Sequence, residues 1–318
     1  MKKRILTLIL CFVMLCLLGT SFVGCGEEEK IFVSTLSGLQ NALQNSGGKE
    51  IQLIADISSD SALEIIPSSS NYSFKLDLNG FSLNSALKLS NWIRDTQTNT
   101  VTYQPFGINA KIYNSNKSKK STIGANAQSV GYGLTVNSND KVTVELNNVN
   151  LLGYYCGLGT NGLCEGAHIT AKNCEILAGD GNESAGAYMA ANYTYNFENC
   201  TFTGDSGYYT KSGTHTLTNC SVNGNGSFLA PTYYGNGFTP TGSAIVIDSA
   251  NPGYFKTLNV TIKSGTFTSE NGYGLEEVST AKVNTAKASY ANITVQNTPT
   301  FTGSKGSTYS ENNKLEQV

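Results

Sequence analysis

Residues Val142-Thr143-Val144-Glu145-Leu146-Asn147-Asn148-Val149-Asn150-Leu151 decide the fold. Apolar side chains alternate at 142, 144 and 146, slip parity, and resume at 149 and 151. Alternation describes a strand with one buried face. A parity slip requires a sharp bend, after which apolar groups again point the same way. Asparagine suits that corner because its short amide tolerates the left-handed region and bonds nearby backbone. Downstream, the register returns as Ile169, Ala171, Asn173, Cys174, Ile176, then as Tyr195, Phe197, Asn199, Cys200, Phe202. It continues through His215, Leu217, Asn219, Cys220, Val222 and through Val260, Ile262, Ser264, Gly265, Phe267, ending at Ile293, Val295, Asn297. Upstream, Leu76, Leu78, Gly80, Phe81, Leu83 and Ala110, Ile112, Asn114 fit as well. Two strands meeting at a corner, repeated along the chain, are the coils of a parallel β-helix.

A third strand per coil lies between these units, at Tyr132–Val136, Tyr154–Leu158, Ala187–Ala190, Tyr208–Lys211, Ser243–Asp248 and Tyr273–Glu277. The whole pattern resembles the right-handed parallel β-helix of the pectate-lyase-like superfamily. Thr35–Leu43 reads as its short amphipathic capping helix, followed by Ile51–Ile57 and Leu76–Gly80. The expected fold is therefore all-β, a single-domain solenoid over residues 31–303 with a polar C-terminal tail at 304–318. The resemblance implies a ladder of corner asparagines between the second and third sheets and a ligand groove along the first, Tyr-rich sheet. It speaks to fold and not to activity.

The first 24 residues read as an export signal: Lys2, Lys3 and Arg4, then an uncharged apolar run from Ile5 to Leu18. Phe22-Val23-Gly24-Cys25 resembles the bacterial lipobox, which implies diacylation of Cys25 after cleavage. Residues 25–30 are then a short tether of under ~20 Å, and the body sits outside the cytoplasm, lipid-anchored to a bacterial membrane at the cell envelope or surface. Charged residues are 14% of the chain and net charge is −2, so no basic field exists to attract nucleic acid. Beyond Cys25 there are five cysteines, Cys156, Cys164, Cys174, Cys200 and Cys220, an odd count for a disulfide framework. Cys174, Cys200 and Cys220 share one inward repeat position, which makes them stacked structural thiols.

Parity on the first sheet, with Leu134, Val136, Leu158, Met189, Ile245 and Ile247 inward, sends Tyr155, Tyr188 and Tyr209 outward on consecutive coils. Lys211, Asp248 and Glu276 follow on the same face. A file of tyrosines suits a glycan chain, whose sugar rings stack on aromatic faces; the same file also serves simply to stabilise an exposed sheet. Two insertions add aromatic residues: 84–107, with Trp92, Arg94, Tyr103 and Phe106, and 224–242, with Phe228, Tyr233, Tyr234 and Phe238. Both are expected to leave the corner unit and return to the first sheet, walling the same face. The candidate ligand-binding set is therefore Tyr155, Tyr188, Tyr209, Lys211, Asp248, Glu276, Trp92, Tyr233 and Tyr234.

No catalytic constellation assembles. Lyase chemistry on this fold needs clustered carboxylates holding Ca²⁺ and a basic residue, and Arg94 is the sole arginine outside the signal. Ca²⁺ thus enters only under a lyase alternative, and no other cofactor or metal is expected. Glu276 and Glu277 are neighbours in one strand and point to opposite faces, so they are no acid–base pair. His215 takes an inward repeat position and His168 an outward one. Three functions stay open: a non-catalytic binder of a glycan or envelope partner, a polysaccharide lyase or glycosidase, and a structural or adhesive solenoid.

Overall fold

The computed structural model describes residues 29–311 except 68–69, 96, 99, 228–240, 249–257 and 280–290. Cys25, Phe228, Tyr233, Tyr234 and Phe238 lie outside the described residues. The chain winds into a right-handed parallel β-helix of three sheets. The first sheet has nine strands and includes Tyr132–Asn137; the second has ten and includes Val142–Asn147; the third has nine and includes Asn150–Gly153. Each coil runs first, second, third, and pairs in parallel with the coil before and after.

Pairing converts the sequence repeat into files of side chains along the axis, one residue per coil at ~4.8 Å spacing. One inward file of the second sheet runs Phe74, Ala110, Val144, Ile169, Tyr195, His215, Val260, Ile293. The matching file of the third sheet is Leu83, Ile123, Leu151, Ile176, Phe202, Val222, Phe267, Phe301. In the middle coils Phe197, Phe202 and Tyr208 meet edge to face with centroids 5.1–5.8 Å apart, in the range where aromatic pairs attract.

The corner expectation holds at Asn148, Asn173, Asn199, Asn219 and Asn297, whereas Asn114 and Ser264 do not adopt positive φ and Asn79 joins Gly80 in the early corner. Asn79, Asn148, Asn173, Asn199, Asn219 and Asn297 all adopt φ between 50° and 57°. Asn219 Nδ2 donates to Asn199 Oδ1 at 2.8 Å, and Asn199 Nδ2 to Asn173 Oδ1 at 3.2 Å, so the ladder is continuous over three coils. Beside it Cys174, Cys200 and Cys220 are buried free thiols, as their shared repeat position implied. Each points its sulfur at backbone carbonyls, 3.2 Å from Lys172 O for Cys174.

A second corner, between the third and first sheets, was not visible in the alternation. Gly133, Gly157, Gly186, Gly207 and Gly274 occupy it, and here the two backbones nearly touch. A methyl group on Gly157 would sit 2.7 Å from Leu177 N, and one on Gly186 2.7 Å from Ile176 O. Only glycine permits that approach.

The helix Leu36–Asn45 caps the N-terminal end, with Thr35 Oγ1 accepting from Gly38 N at 3.1 Å. It buries Leu39, Ala42 and Leu43 against the first coil. Two expectations need correcting. The segment 84–107 contains a first-sheet strand, Leu87–Ser90, followed by an antiparallel hairpin, Trp92–Arg94 with Val101–Tyr103. The hairpin therefore leaves the first sheet and returns to the second, and does not wall the first-sheet face from the third-sheet side. The stretch 304–318 is not simply a tail, because Gly306–Ser310 pairs with Tyr273–Val278 as a further first-sheet strand.

Phe202→Ala should cost about 3–5 kcal/mol by opening the aromatic centre. Gly157→Ala, which adds one methyl to the glycine corner, should cost about 1–3 kcal/mol. Urea unfolding followed by circular dichroism measures both, and two wild-type midpoints would refute this packing.

Candidate functional site

Register fixes the outer face of the first sheet. Its main outward file runs Glu64, Lys88, Thr135, Gly159, Tyr188, Tyr209, Val246, Glu276, Tyr309. Tyr188 and Tyr209 are thus true neighbours, with ring centroids 5.9 Å apart. Tyr155 does not join them. The neighbour of Tyr188 on the preceding coil is Gly159, because the glycine corner at Gly157 interrupts the alternation on which parity was counted. Tyr155 instead precedes the strand Cys156–Thr160 and meets Tyr154 edge to face. The vacancy above Gly159 is filled by the Tyr132 ring, which lies where a Cβ would stand.

This face is also largely closed to solvent. Tyr209, Val246 and Val278 form a second apolar cluster with Cys156 and Ala185, and Tyr132, Tyr155 and Tyr188 pack against it half-buried. Lys211, Asp248 and Glu276 are buried with them. Trp92 belongs to the main core rather than to a binding wall.

Within that outer cluster lies a polar network. Lys211 follows the strand Ser206–Thr210 and stands beside Asp248 at the end of Ile245–Asp248. Lys211 Nζ lies 3.2 Å from Asp248 Oδ2, and Tyr209 Oη donates to the same oxygen at 2.7 Å. The ammonium sits 6.0 Å from the Tyr209 ring centroid, within cation–π range. A buried ammonium alone would be very costly, whereas a lysine–aspartate pair with a phenol donor is neutral and hydrogen-bonded. The arrangement brings together a base, a carboxylate and a phenol, but each already holds another.

Glu276 and Glu277 face opposite sides, as expected. Glu276 accepts from Thr241 Oγ1 and, at 2.6 Å, from Ser243 Oγ. Burial raises its pKa, those two hydrogen bonds lower it, and Glu311 raises it further. Glu277 follows Ile247 in an inward file and accepts from Ser310 Oγ at 2.7 Å. His215 lies wholly inside, stacked on Tyr195 with centroids 4.5 Å apart. Its Nε2 is 2.7 Å from Ser212 O, a pure acceptor, so Nε2 carries the proton. Nδ1 then accepts from Tyr208 Oη at 2.7 Å. Burial pulls the imidazole pKa down to about 3. His168 is exposed on the second sheet. Burial pushes the Cys156 and Cys220 thiols up to about 12, which leaves them unreactive.

Among the described residues no group of three or more metal-ligating side chains converges, and no helix is long and apolar enough to cross a membrane. Sequence reading missed Tyr273 and Tyr309, whose rings stack at 5.1 Å and 22° on the last two coils. Tyr309 is 40% exposed. The signal was present: Tyr273-Gly274-Leu275 repeats Tyr132-Gly133-Leu134. Set against known proteins, the chain significantly matches no protein-family model, no curated protein and no solved structure.

His215 sets an acid limit. Between pH 6.5 and about 3 the unfolded chain holds a proton there that the folded chain does not. Its contribution to stability is therefore present above pH 6.5 and falls by up to roughly 1.4 kcal/mol per pH unit as the pH drops through this window. Proton NMR should show no His215 titration between pH 8 and 5. An inflection near 6.5 would place the ring in solvent.

Proposed function

We propose that this chain is an exported lipoprotein, anchored through Cys25, whose β-helix is a non-catalytic binder of a glycan or cell-envelope partner. The observation that carries the reading is the stacked pair Tyr273 and Tyr309 on the outer face of the first sheet, with Tyr309 exposed. Near-parallel rings on successive coils offer sugar rings an aromatic platform, and their hydroxyls add polar contacts. The platform lies at the C-terminal end of the outward file and not at Tyr155, Tyr188 and Tyr209, whose region packs as a second core.

The second reading, a polysaccharide lyase or glycosidase, draws on the Lys211, Asp248 and Tyr209 cluster. It requires that face to open, since the three side chains are sealed and mutually paired. The lipobox reading predicts labelling by a palmitate analogue in a bacterial host, lost in Cys25→Ala.

Titration against immobilised glycans tests the binding role. Tyr273→Ala with Tyr309→Ala should weaken binding about tenfold or more while the melting transition shifts little. Binding untouched by that pair would remove the platform. New reducing ends or unsaturated sugars produced by wild type and abolished in Lys211→Met would establish the enzymatic reading instead.

A further inference from the structure

At the opposite end of the solenoid, a cavity of about 860 Å³ opens between the capping helix and the first coil. That is the size of an ordinary small-molecule site. One wall is the helix stripe Ser37, Gln40, Asn41 and Gln44, spaced i, i+3, i+4, i+7 and so on a single face. Leu43, Leu63, Ile65 and Pro67 also line the cavity, together with Tyr72.

The polar side chains of the helix wall, Ser37, Gln40, Asn41 and Gln44, are exposed to solvent. The Gln40 and Gln44 side chains make no hydrogen bond to the described residues. Asn45 Nδ2 donates to Asn41 Oδ1 at 2.7 Å, which fixes the Asn41 amide and leaves its nitrogen as a donor. The Tyr72 hydroxyl is shielded from solvent and lies beside the buried Ser46 hydroxyl. Among the described residues of the lining, Glu64 is the only charged side chain.

From these observations we infer that this cavity is a second binding site, taking a neutral saccharide unit. Carboxamides and hydroxyls pair with sugar hydroxyls in either sense, as donor or acceptor. The apolar residues of the lining take the carbon face of the ring, and Glu64 accepts a hydroxyl at the mouth. Among the described residues of the lining an anionic ligand finds no cation, and it meets the Glu64 carboxylate. The site is independent of the tyrosine platform, from which it is separated by the length of the solenoid.

Chemical-shift mapping of the whole chain with maltose, cellobiose, N,N′-diacetylchitobiose and digalacturonate tests it. At least one neutral disaccharide should shift the resonances of Gln40, Gln44 and Tyr72, and digalacturonate should not. Gln40→Ala with Gln44→Ala should weaken that binding about tenfold, with unchanged circular dichroism, because two hydrogen-bonding groups are lost. Tyr273→Ala with Tyr309→Ala should leave it unchanged, which separates this site from the platform. The proposal is overturned if no neutral disaccharide shifts these residues, if digalacturonate binds as well, or if the double glutamine variant binds like wild type.

Discussion

Parallel hydrogen bonding between successive coils is the constraint from which the rest follows. Once one coil is paired with the next, a residue has no freedom to choose its neighbours along the axis. Tyr195 must lie under His215, and Cys174 must align with Cys200 and Cys220. The core is then a set of one-dimensional files, and its composition changes coil by coil without altering the cross-section. Bulky Phe197, Phe202 and Tyr208 occupy the centre, whereas Leu146, Leu151 and Leu134 hold the same files in an earlier coil. The corners bear the strain. Left-handed asparagines turn the second sheet into the third, and a glycine file lets the third and first sheets meet almost backbone to backbone.

Pairing has the same effect on polar residues. Lys211 and Asp248 are brought side by side by register and then enclosed, so their mutual attraction offsets much of the cost of removing both from water. Glu276 is retained on the same face by Thr241 and Ser243, which come from the end of the 224–242 insertion. The outward face of the first sheet is thereby a second, mixed core over its middle coils. Access to side chains is left at the two ends, where Tyr309 and the cavity beneath the capping helix lie.

Much of this was legible in the sequence. The spacing of Val142, Val144, Leu146 and Asn148 carries the strands, the corner and the coil, because alternation and a parity slip are direct consequences of backbone geometry. The stacked thiols and the inward His215 follow from the same register. What was not legible has two physical causes. Gly157 has no Cβ, so alternation gives no sign that it fills a tight corner, and Tyr155 was counted through it as if the strand were straight. Alternation also distinguishes inward from outward without saying whether outward means solvent. Tyr209, Lys211 and Asp248 point out of the solenoid and are nonetheless buried. The hairpin at Trp92–Arg94 was misplaced for a related reason: the strand Leu87–Ser90 before it is short and was read as part of the insertion.

The first-sheet face is sealed around the Lys211–Asp248 pair, and an open face would restore the central tyrosines and the lysine as ligand-binding or catalytic groups. Amine acylation of the native protein, quantified lysine by lysine by mass spectrometry, tests this most directly. Exposed Lys88 and Lys172 should be modified to completion while Lys211 stays unmodified until denaturant is added. Modification of Lys211 in the native protein at a rate comparable to Lys88 would contradict the account.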